Sequence, residues 1–339
     1  MSPADRTFVI AEVGVNHNGS IELARKLVDK ACLAGADAVK FQTFRAERLV
    51  SRSARKAQYQ QRNATDADTQ FEMLERLELS GDDHRTLLAH CRAASITFLS
   101  SPFDEQSADL LDDLGVTAFK IPSGELTNHA LLRHVAEKGK PLIVSTGMST
   151  LAEVTEAVEV IIAAGSRHLS LLHCVTEYPA PFADVNLRAM LTLRDAFGFP
   201  VGYSDHTPGI EIAVAAVALG ASIIEKHFTL SRGMSGPDHR ASLEPDELAE
   251  MVRAIRNVEQ ALGDGVKSPA PCEVKNIPIA RKSVVAERDI AAGEALTREN
   301  VAIKRPGDGI QPRDLETVMG RSVAVDIKSG DVVTWEDLK

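Results

Sequence analysis

Cysteine is scarce in this sequence of 339 residues, and the four that occur, Cys32, Cys91, Cys174 and Cys272, form no C-x-x-C pair. This spacing predicts neither a disulfide framework nor a zinc knuckle. Cys174 ends an apolar run, where a nucleophilic thiol is one interpretation. The residue type favours the other interpretation, a small buried side chain.

Excess positive charge and long apolar runs are also missing. The formal net charge is -10, which argues against a nucleic-acid partner because the phosphate backbone requires a basic surface. No apolar run reaches transmembrane length, and MSPADRTFVI at the start lacks the basic and apolar regions of a secretory signal. We therefore predict a cytoplasmic protein with no nucleic-acid or membrane partner.

Short apolar runs rich in β-branched residues alternate with longer stretches of helical period. The runs are FVIAEVG (8–14), AVKFQT (38–43), TFLSSPF (97–103), AFKIPS (118–123), PLIVSTG (141–147), LSLLHC (169–174), PVGYSD (200–205) and SIIEKHF (222–228). Eight such units predict an α/β fold, a (β/α)8 TIM barrel over residues 1–265, rather than an open doubly wound sheet. The span 44–96 is expected to be an elaborated loop with its own helix near TQFEMLERLELS.

The sequence pattern changes after a Pro-containing linker at residues 266–281. Beyond it, IAAGEALTRENV (290–301) and IKSGDVVTWEDL (327–338) match in pattern, 37 residues apart. Two copies are too few for a solenoid. They predict a small pseudo-symmetric, β-rich C-terminal domain at residues 282–339.

Each of the eight predicted strands ends in polar residues, and in a (β/α)8 barrel these ends carry the chemistry. Lys40 and Lys120 lie inside apolar strands, where a buried ammonium group is costly unless an anion lies beside it. Hydroxyl groups that could donate to phosphate or carboxylate oxygens are those of Ser101, Ser123, Ser145 and Ser204. Further strand-end candidates are Glu12, Asn16, His17, Asn18, Gln42, Ser100, Thr146, Thr176, Glu177 and Tyr178. The pattern predicts a site for an anionic substrate.

Two neighbouring strands end on a histidine, His206 in GYSDHT and His227 in IIEKHF. A single such histidine is more often a satisfied core or surface residue than a ligand. A pair on adjacent strands predicts a divalent first-row metal with open positions, and the absence of a nearby thiolate disfavours structural zinc. Asp205 and Glu225 are expected to orient the two imidazoles.

The ordered motifs resemble the sialic acid synthases, enzymes that form nonulosonic acids from phosphoenolpyruvate and an N-acylated amino sugar. They are IAEVGVNHNG, VKFQTF, SSPFD, FKIPSGE, VSTGMS, HCVTEYPAP, GYSDHT, EKHFT and GPDH. The C-terminal segment with KRPGDGIQP resembles that family's antifreeze-like (SAF) domain. The resemblance spans nearly the whole chain.

The resemblance implies roles for individual residues. It places a divalent ion, usually Mn2+ with Mg2+ or Co2+ possible, on His206 and His227, and makes Glu12 and Asp238 catalytic candidates. Phosphoenolpyruvate would be bound by Lys40, Ser101, Lys120, Ser123, Ser145 and Ser204. The sugar would be bound by Gln42, Thr176, Tyr178 and Arg305. Arg305 matches an arginine of the family's SAF domain that reaches the partner subunit's site, so the resemblance also implies a domain-swapped homodimer.

Thr176 bears on the choice of sugar. Neuraminate-forming members carry Asn at this position, and the TEYPAP form resembles legionaminate-type synthases. The smaller side chain favours 2,4-diacetamido-2,4,6-trideoxy-mannose over N-acetylmannosamine. Two other functions stay open from the residues alone: a Schiff-base aldolase using Lys40 or Lys120, and a non-catalytic carbohydrate-binding protein.

Overall fold

The structure is a computed structural model that describes residues 6–56 and 69–339. The chain forms two units, Met1–Gly263 and Asp264–Lys339. None of the described helices is both long and apolar enough to cross a membrane.

Eight parallel strands form the sheet of the first unit. They are β1 (Phe8–Gly14), β2 (Ala38–Thr43), β3 (Thr97–Pro102), β4 (Phe119–Ile121), β5 (Leu142–Ser145), β6 (Leu169–Cys174), β7 (Val201–Asp205) and β8 (Ile223–His227). Their order is β3-β2-β1-β8-β7-β6-β5-β4, and the two end strands β3 and β4 lie side by side. The predicted (β/α)8 barrel is therefore confirmed.

The predicted strands were slightly too long where proline intervenes. The run 118–123 forms a strand only over Phe119–Ile121, and a short 3-10 helix occupies Ser123–Glu125. Pro122 separates the two elements because it has no N–H group to continue the ladder. Ser123 therefore lies on a turn above β4 rather than on the strand itself.

Helices follow the strands and cover the outside of the sheet. They are α1 (Ile21–Leu33), α2 (Ala46–Leu49), α3 (Gln70–Glu75), α4 (Gly81–Ala93), α5 (Glu105–Asp113), α6 (His129–Glu137), α7 (Leu151–Ala163), α8 (Ala189–Phe197), α9 (Glu211–Ala218) and α10 (Pro245–Leu262). Several begin at a side-chain cap, as where Thr150 and Glu153 satisfy each other's backbone N–H groups at the start of α7.

The span 44–96 contains more helix than the sequence predicted. The expected helix near TQFEMLERLELS is α3, which a capping box of Thr69 and Glu72 initiates. The prediction of a loop with one helix of its own was wrong for Gly81–Ala93, because these residues form a second helix, α4, the barrel helix between β2 and β3. Residues 57–68 of this span lie outside the described residues.

The inside of the barrel is apolar at one level and charged at the next. Ile10, Leu99, Ile143 and Leu172 are buried in an inner cluster that is separate from the larger core between strands and helices. Alternate residues of a strand share one face, so Glu12 lies on the same face of β1 as Ile10, nearer the C-terminal end. The apolar layer thus forms a floor beneath the polar strand ends.

The second unit contains the predicted β-rich C-terminal domain. It contains α11 (Ile277–Ala280), the antiparallel pair β9 (Ser283–Ala286) and β10 (Val301–Lys304), and α12 (Leu315–Val318). Isolated bridges extend the pairing, and a small core includes Val284, Ile290, Ile310, Val323 and Val333.

The two matching segments of this unit are related by an internal pseudo-twofold. Ile290 and Ile327, the first residues of the two segments, pair with each other. The pair Val301–Ala286 recurs 37 residues later as Leu338–Val323. The sequence repeat therefore corresponds to a repeated strand pairing.

Candidate active site

A cavity of about 400 Å³ opens at the C-terminal ends of the barrel strands. Of the fourteen residues to which the resemblance gives a role, thirteen line it: Glu12, Lys40, Gln42, Ser101, Lys120, Ser123, Ser145, Thr176, Tyr178, Ser204, His206, His227 and Asp238. The remaining one, Arg305, belongs to the second unit, where its Nε donates to the Ala280 carbonyl at 3.0 Å. The structure thus gathers residues from across the first 240 positions of the chain into one cavity.

Two lysines and two glutamates form a buried charge cluster in this cavity. Lys40 Nζ lies 2.5 Å from Glu12 Oε2 and 3.9 Å from Glu225 Oε2. Lys120 Nζ lies 3.4 Å from Glu225 Oε1. All four side chains are buried, so each charge depends on its neighbours rather than on water. An anion that enters the cavity meets ammonium groups that carboxylates already hold in place.

Serine hydroxyls surround the two lysines. Lys40 Nζ donates to Ser101 Oγ at 3.2 Å, and Ser204 Oγ donates to Glu225 Oε1 at 3.0 Å. Ser123 Oγ accepts from the Gly147 N–H at 2.9 Å. Ser145 Oγ is buried and has no hydrogen-bond partner within residues 6–56 and 69–339. An unpartnered buried hydroxyl is costly, so Ser145 is a ready donor for a bound oxygen.

The cluster shifts the ionisation of its members in different directions. Burial raises the pKa of Glu12 to about 7, although Lys40 acts against this shift. Burial also tends to lower the pKa of Lys40, but Glu12 and Glu225 outweigh it and the pKa is raised. For Lys120 burial prevails over Glu225 and the pKa is lowered. Glu12 can therefore exchange a proton near neutral pH while Lys40 remains charged.

A glycine makes room for the wall of the cavity at β5. A Cβ on Gly147 would lie 2.6 Å from Thr176 Oγ1, 2.8 Å from Ser123 Oγ and 2.9 Å from Cys174 Sγ.

Burial raises the pKa of the Cys174 thiol, so the thiolate that a nucleophile requires is disfavoured. Cys174 thus has the small buried side chain that the sequence favoured.

His206 and His227 lie close together beside Tyr178. Their ring centroids are 5.5 Å apart, and the Tyr178 ring lies 4.3 Å from His206 and 5.4 Å from His227. Burial lowers the pKa of His206 to about 4 and that of His227 well below its usual value. Both imidazoles are therefore neutral and keep a lone pair for a ligand or a proton.

The two histidines fit a divalent metal ion. His206 Nδ1 lies 2.6 Å from the Val175 carbonyl, which can only accept, so Nδ1 carries the proton and Nε2 is free to bind. His227 Nδ1 is buried and finds no hydrogen-bond partner in the described parts of the chain. An ion about 2 Å from one nitrogen of each ring is compatible with this ring separation.

The protein would supply few ligands to such an ion. Among the described residues, no group of three or more His, Cys, Asp or Glu side chains is arranged to hold a metal ion. A metal on His206 and His227 would therefore keep positions open for water or substrate oxygens. This arrangement differs from a closed structural site.

The expected orienting roles of Asp205 and Glu225 were wrong. The carbonyl of Val175 orients His206. Asp205 Oδ2 instead pairs with Lys226 Nζ at 2.6 Å, and both side chains are fully buried. Glu225 pairs with the two lysines of the charge cluster. For Asp205 the error arose because strand neighbours point to opposite faces, so Asp205 faces away from the cavity that Ser204 lines. Glu225 does line the cavity, but its carboxylate lies beside the two lysines.

Sequence reasoning missed one wall of the cavity and misplaced one motif. The apolar wall comes largely from the span after β2 and consists of Leu49, Val50, Met73, Leu74, Leu77 and Phe103. The apolar spacing within FEMLERLEL was the available signal for it. Asn16, His17 and Asn18 follow β1 as expected, but the residue that lines the cavity there is Val15.

A barrel mouth that combines two buried lysines, serine hydroxyls and two neutral histidines is typical of an enzyme that acts on a small anion. The model of the NeuB family matches residues 27–267, and the model of the SAF domain matches residues 281–339. This chain therefore belongs to the NeuB family and ends in a SAF domain. The resemblance that the motifs indicated is confirmed.

Individual relatives are similar over almost their whole length. The chain is 49% identical to the N,N'-diacetyllegionaminic acid synthase of Campylobacter jejuni, over 97% of this chain and 99% of that protein. It is 46% identical to the protein of the same name from Legionella pneumophila, over 98% and 94%. The crystal structure of N-acetylneuraminic acid (sialic acid) synthetase from Leptospira borgpetersenii, in complex with citrate, is 35% identical with a TM-score of 0.72, covering 81% of this chain and 91% of that one.

Proposed function

We propose that this chain is a nonulosonic acid synthase that condenses phosphoenolpyruvate with 2,4-diacetamido-2,4,6-trideoxy-mannose. The products are N,N'-diacetyllegionaminate and phosphate. The observation that carries the proposal is the pair of buried ammonium groups, Lys40 and Lys120, among serine hydroxyls in the barrel mouth. The family and its relatives favour this function over a Schiff-base aldolase and over a non-catalytic carbohydrate-binding protein.

Phosphoenolpyruvate fits the charge cluster because it carries a carboxylate and a phosphate on the same carbon, carbon 2. Lys40 and Lys120 bind these groups as charged donors, which offsets the cost of burying the lysines. Ser101, Ser123, Ser145 and Ser204 add hydroxyl donors. The Ser145 hydroxyl, which is buried without a partner among the described residues, gains one when substrate binds.

The reaction forms one carbon–carbon bond and, at carbon 2, one carbon–oxygen bond to water, and it breaks the carbon–oxygen bond to phosphate. Carbon 3 of phosphoenolpyruvate attacks the aldehyde carbon of the sugar, and carbon 2 becomes electron-poor. Water adds to carbon 2 and gives one proton to a base, while the former aldehyde oxygen takes up a proton to become a hydroxyl group. The tetrahedral intermediate then loses the proton of its new hydroxyl group and expels phosphate to leave the keto acid. Glu12 serves as this base, because its pKa of about 7 suits proton transfer near neutral pH. Its ionised carboxylate also stabilises the positive charge that develops at carbon 2.

We propose a divalent ion, Mn2+ with Mg2+ or Co2+ as alternatives, on His206 and His227. When bound there it supplies Lewis-acid polarisation of the aldehyde oxygen. The neutral state of both imidazoles and the Val175 contact that leaves His206 Nε2 free support this assignment. The side chains proposed to orient the sugar are Gln42, Thr176, Tyr178 and Asp238.

The choice of sugar rests on Thr176 and on the relatives. The two N,N'-diacetyllegionaminic acid synthases are 46–49% identical to this chain. Thr176 Oγ1 is buried and without a hydrogen-bond partner within the described ranges, so it can donate to an acetamido oxygen.

The test of the sugar assignment is a comparison of kcat/KM for two sugars with phosphoenolpyruvate in excess. We expect the 2,4-diacetamido sugar to be preferred over N-acetylmannosamine by about tenfold or more, as for a site that pairs a polar group with its substrate. Equal or better use of N-acetylmannosamine would contradict the assignment.

We also propose a domain-swapped homodimer in which Arg305 contacts the sugar bound to the partner subunit. Arg305 is exposed, and its Nε is fixed by the Ala280 carbonyl, which leaves the end of the guanidinium group free to recognise an acetamido oxygen. We propose a cytoplasmic location as well, because phosphoenolpyruvate is too highly charged to cross a bilayer unaided.

A further inference from the structure

The segment from Thr229 to Ser242 forms a long loop between β8 and α10, and it carries Asp238 into the cavity. Its one short 3-10 helix is His239–Ala241. The base of the loop is closed by backbone hydrogen bonds, since Thr229 N donates to Leu243 O at 2.9 Å and Leu243 N donates to His227 O at 2.8 Å. A loop of this length needs further contacts along its course to hold one side chain in place.

Asn16, in the loop after β1, supplies the first of these contacts. Its Nδ2 donates to the Phe228 carbonyl and to Ser242 Oγ, each at 2.9 Å. Ser242 Oγ then donates to the carbonyl of Asp238 at 2.7 Å. Asn16 is 1% exposed and Ser242 is 2% exposed, so water does not compete for these bonds. A chain of two hydrogen bonds thus runs from Asn16 to the backbone of Asp238.

Asn18 holds the middle of the same loop. Its Nδ2 donates to the Ser235 carbonyl at 2.9 Å, and its Oδ1 accepts from His239 Nε2 at 3.2 Å. His239 Nδ1 lies 2.6 Å from Thr229 Oγ1 and accepts from it. Asn18 has a φ of 50°, which asparagine tolerates better than most residues. Both sides of Asp238 are therefore tied to the β1–α1 loop.

We propose that Asn16, Asn18 and Ser242 are positioning residues that fix Asp238 for recognition of the amino sugar. We call these three residues the loop clamp. The inference rests on the proposed function, because it takes Asp238 to contact the sugar. The residues proposed to bind phosphoenolpyruvate lie on the barrel strands or, for Ser123, directly after β4. None of the hydrogen bonds described for the loop clamp reaches them. Loss of the clamp should therefore affect the two substrates differently.

The test uses Asn18→Gly, because glycine keeps the positive φ while removing both amide contacts. We expect KM for the sugar to rise about three- to tenfold and KM for phosphoenolpyruvate to stay within about twofold, since small displacements of a contacting group weaken binding. Asn186→Gly is the matched control: Asn186 has a φ of 44° in another strand–helix loop and is not a member of the loop clamp. It should change neither KM.

Two further measurements decide whether the effect runs through Asp238. In the Asp238→Ala background, Asn18→Gly should add little to the sugar KM. Amide hydrogen exchange within residues 231–242 should accelerate in Asn18→Gly and in Ser242→Ala but not in Asn186→Gly. An unchanged sugar KM, an equal rise in both KM values, or full additivity with Asp238→Ala would overturn the proposal. If the wild-type enzyme makes no product, the proposed function fails, and unchanged exchange in both clamp variants would still refute the clamp.

Discussion

Lys120 is buried from solvent, and its ammonium group lies 3.4 Å from Glu225 Oε1. We expect Lys120→Met to raise KM for phosphoenolpyruvate at least tenfold, because a hydrogen bond to a charged group is worth about 1.5–3 kcal/mol. KM for the sugar should stay within about twofold. Steady-state kinetics with each substrate varied in turn measures both values, and Lys140→Met, which alters an ion pair with Asp112, is the control. A rise confined to the sugar would show that the charge cluster does not bind phosphoenolpyruvate.

At the scale of single residues, His206 and His227 also predict that activity requires a metal ion. Chelation with EDTA should abolish activity, and Mn2+ or Co2+ should restore it. Calorimetric titration of the chelated protein with Mn2+ should show binding that His206→Ala removes and His134→Ala retains. His134 is a partly exposed histidine that pairs with Asp109, so it controls for loss of an imidazole. Full activity after chelation, or undiminished Mn2+ binding by His206→Ala, would refute the metal assignment.

At the scale of elements, a buried ion pair joins the ends of β7 and β8. Lys226 Nζ donates to Asp205 Oδ2 and to the Thr207 carbonyl, each at 2.6 Å. We expect Lys226→Met to lower the free energy of unfolding by about 3–5 kcal/mol, because it leaves a buried carboxylate without its partner. Denaturant unfolding measures this change.

A double variant separates the charge effect from the change in packing. Asp205→Asn with Lys226→Met removes both charges but keeps an oxygen for Thr207, so it should recover part of the lost stability. Lys140→Met, in a more exposed ion pair, should change stability far less. If Lys226→Met were as stable as the wild type, the pair would not be what holds the two strand ends together.

Most strands and helices were predictable, because short apolar runs that alternate with stretches of helical period are typical of a (β/α)8 barrel. Proline explains where β4 ended early, and the low apolar content of GDDHRTLLAHCRA concealed α4 within a predicted loop. The site was predictable as a set, because the ends of parallel strands converge. The ion pairs around the site were not predictable, because each depends on how neighbouring strands are aligned. Asp205, for example, contacts Lys226 only because of the register between β7 and β8. The alternation of side chains along β8 was sufficient to predict that Glu225 and His227 share one face of the strand and that Lys226 lies on the other.

At the scale of the whole molecule, the proposed exchange of C-terminal domains can be tested by mixing variants. Arg305→Ala and Glu12→Ala should each be weakly active alone. Random mixing of two chains gives about half heterodimers, and each has one of two sites with both residues intact, so activity should recover to about one quarter of wild type. Activity is measured after dissociation and re-equilibration, and native mass spectrometry counts the heterodimers. No recovery despite abundant heterodimers would place Arg305 at the site of its own chain.

The most direct test of the synthase assignment follows the bridging oxygen of phosphoenolpyruvate. The enzyme is supplied with phosphoenolpyruvate labelled with 18O between carbon 2 and phosphorus, together with the 2,4-diacetamido sugar. Mass spectrometry then locates the label. Attack of water at carbon 2 predicts that the label leaves in inorganic phosphate and that a nonulosonic acid forms in equal amount. Label retained in the keto acid, or a borohydride-trapped adduct of pyruvate on Lys40 or Lys120, would contradict the account.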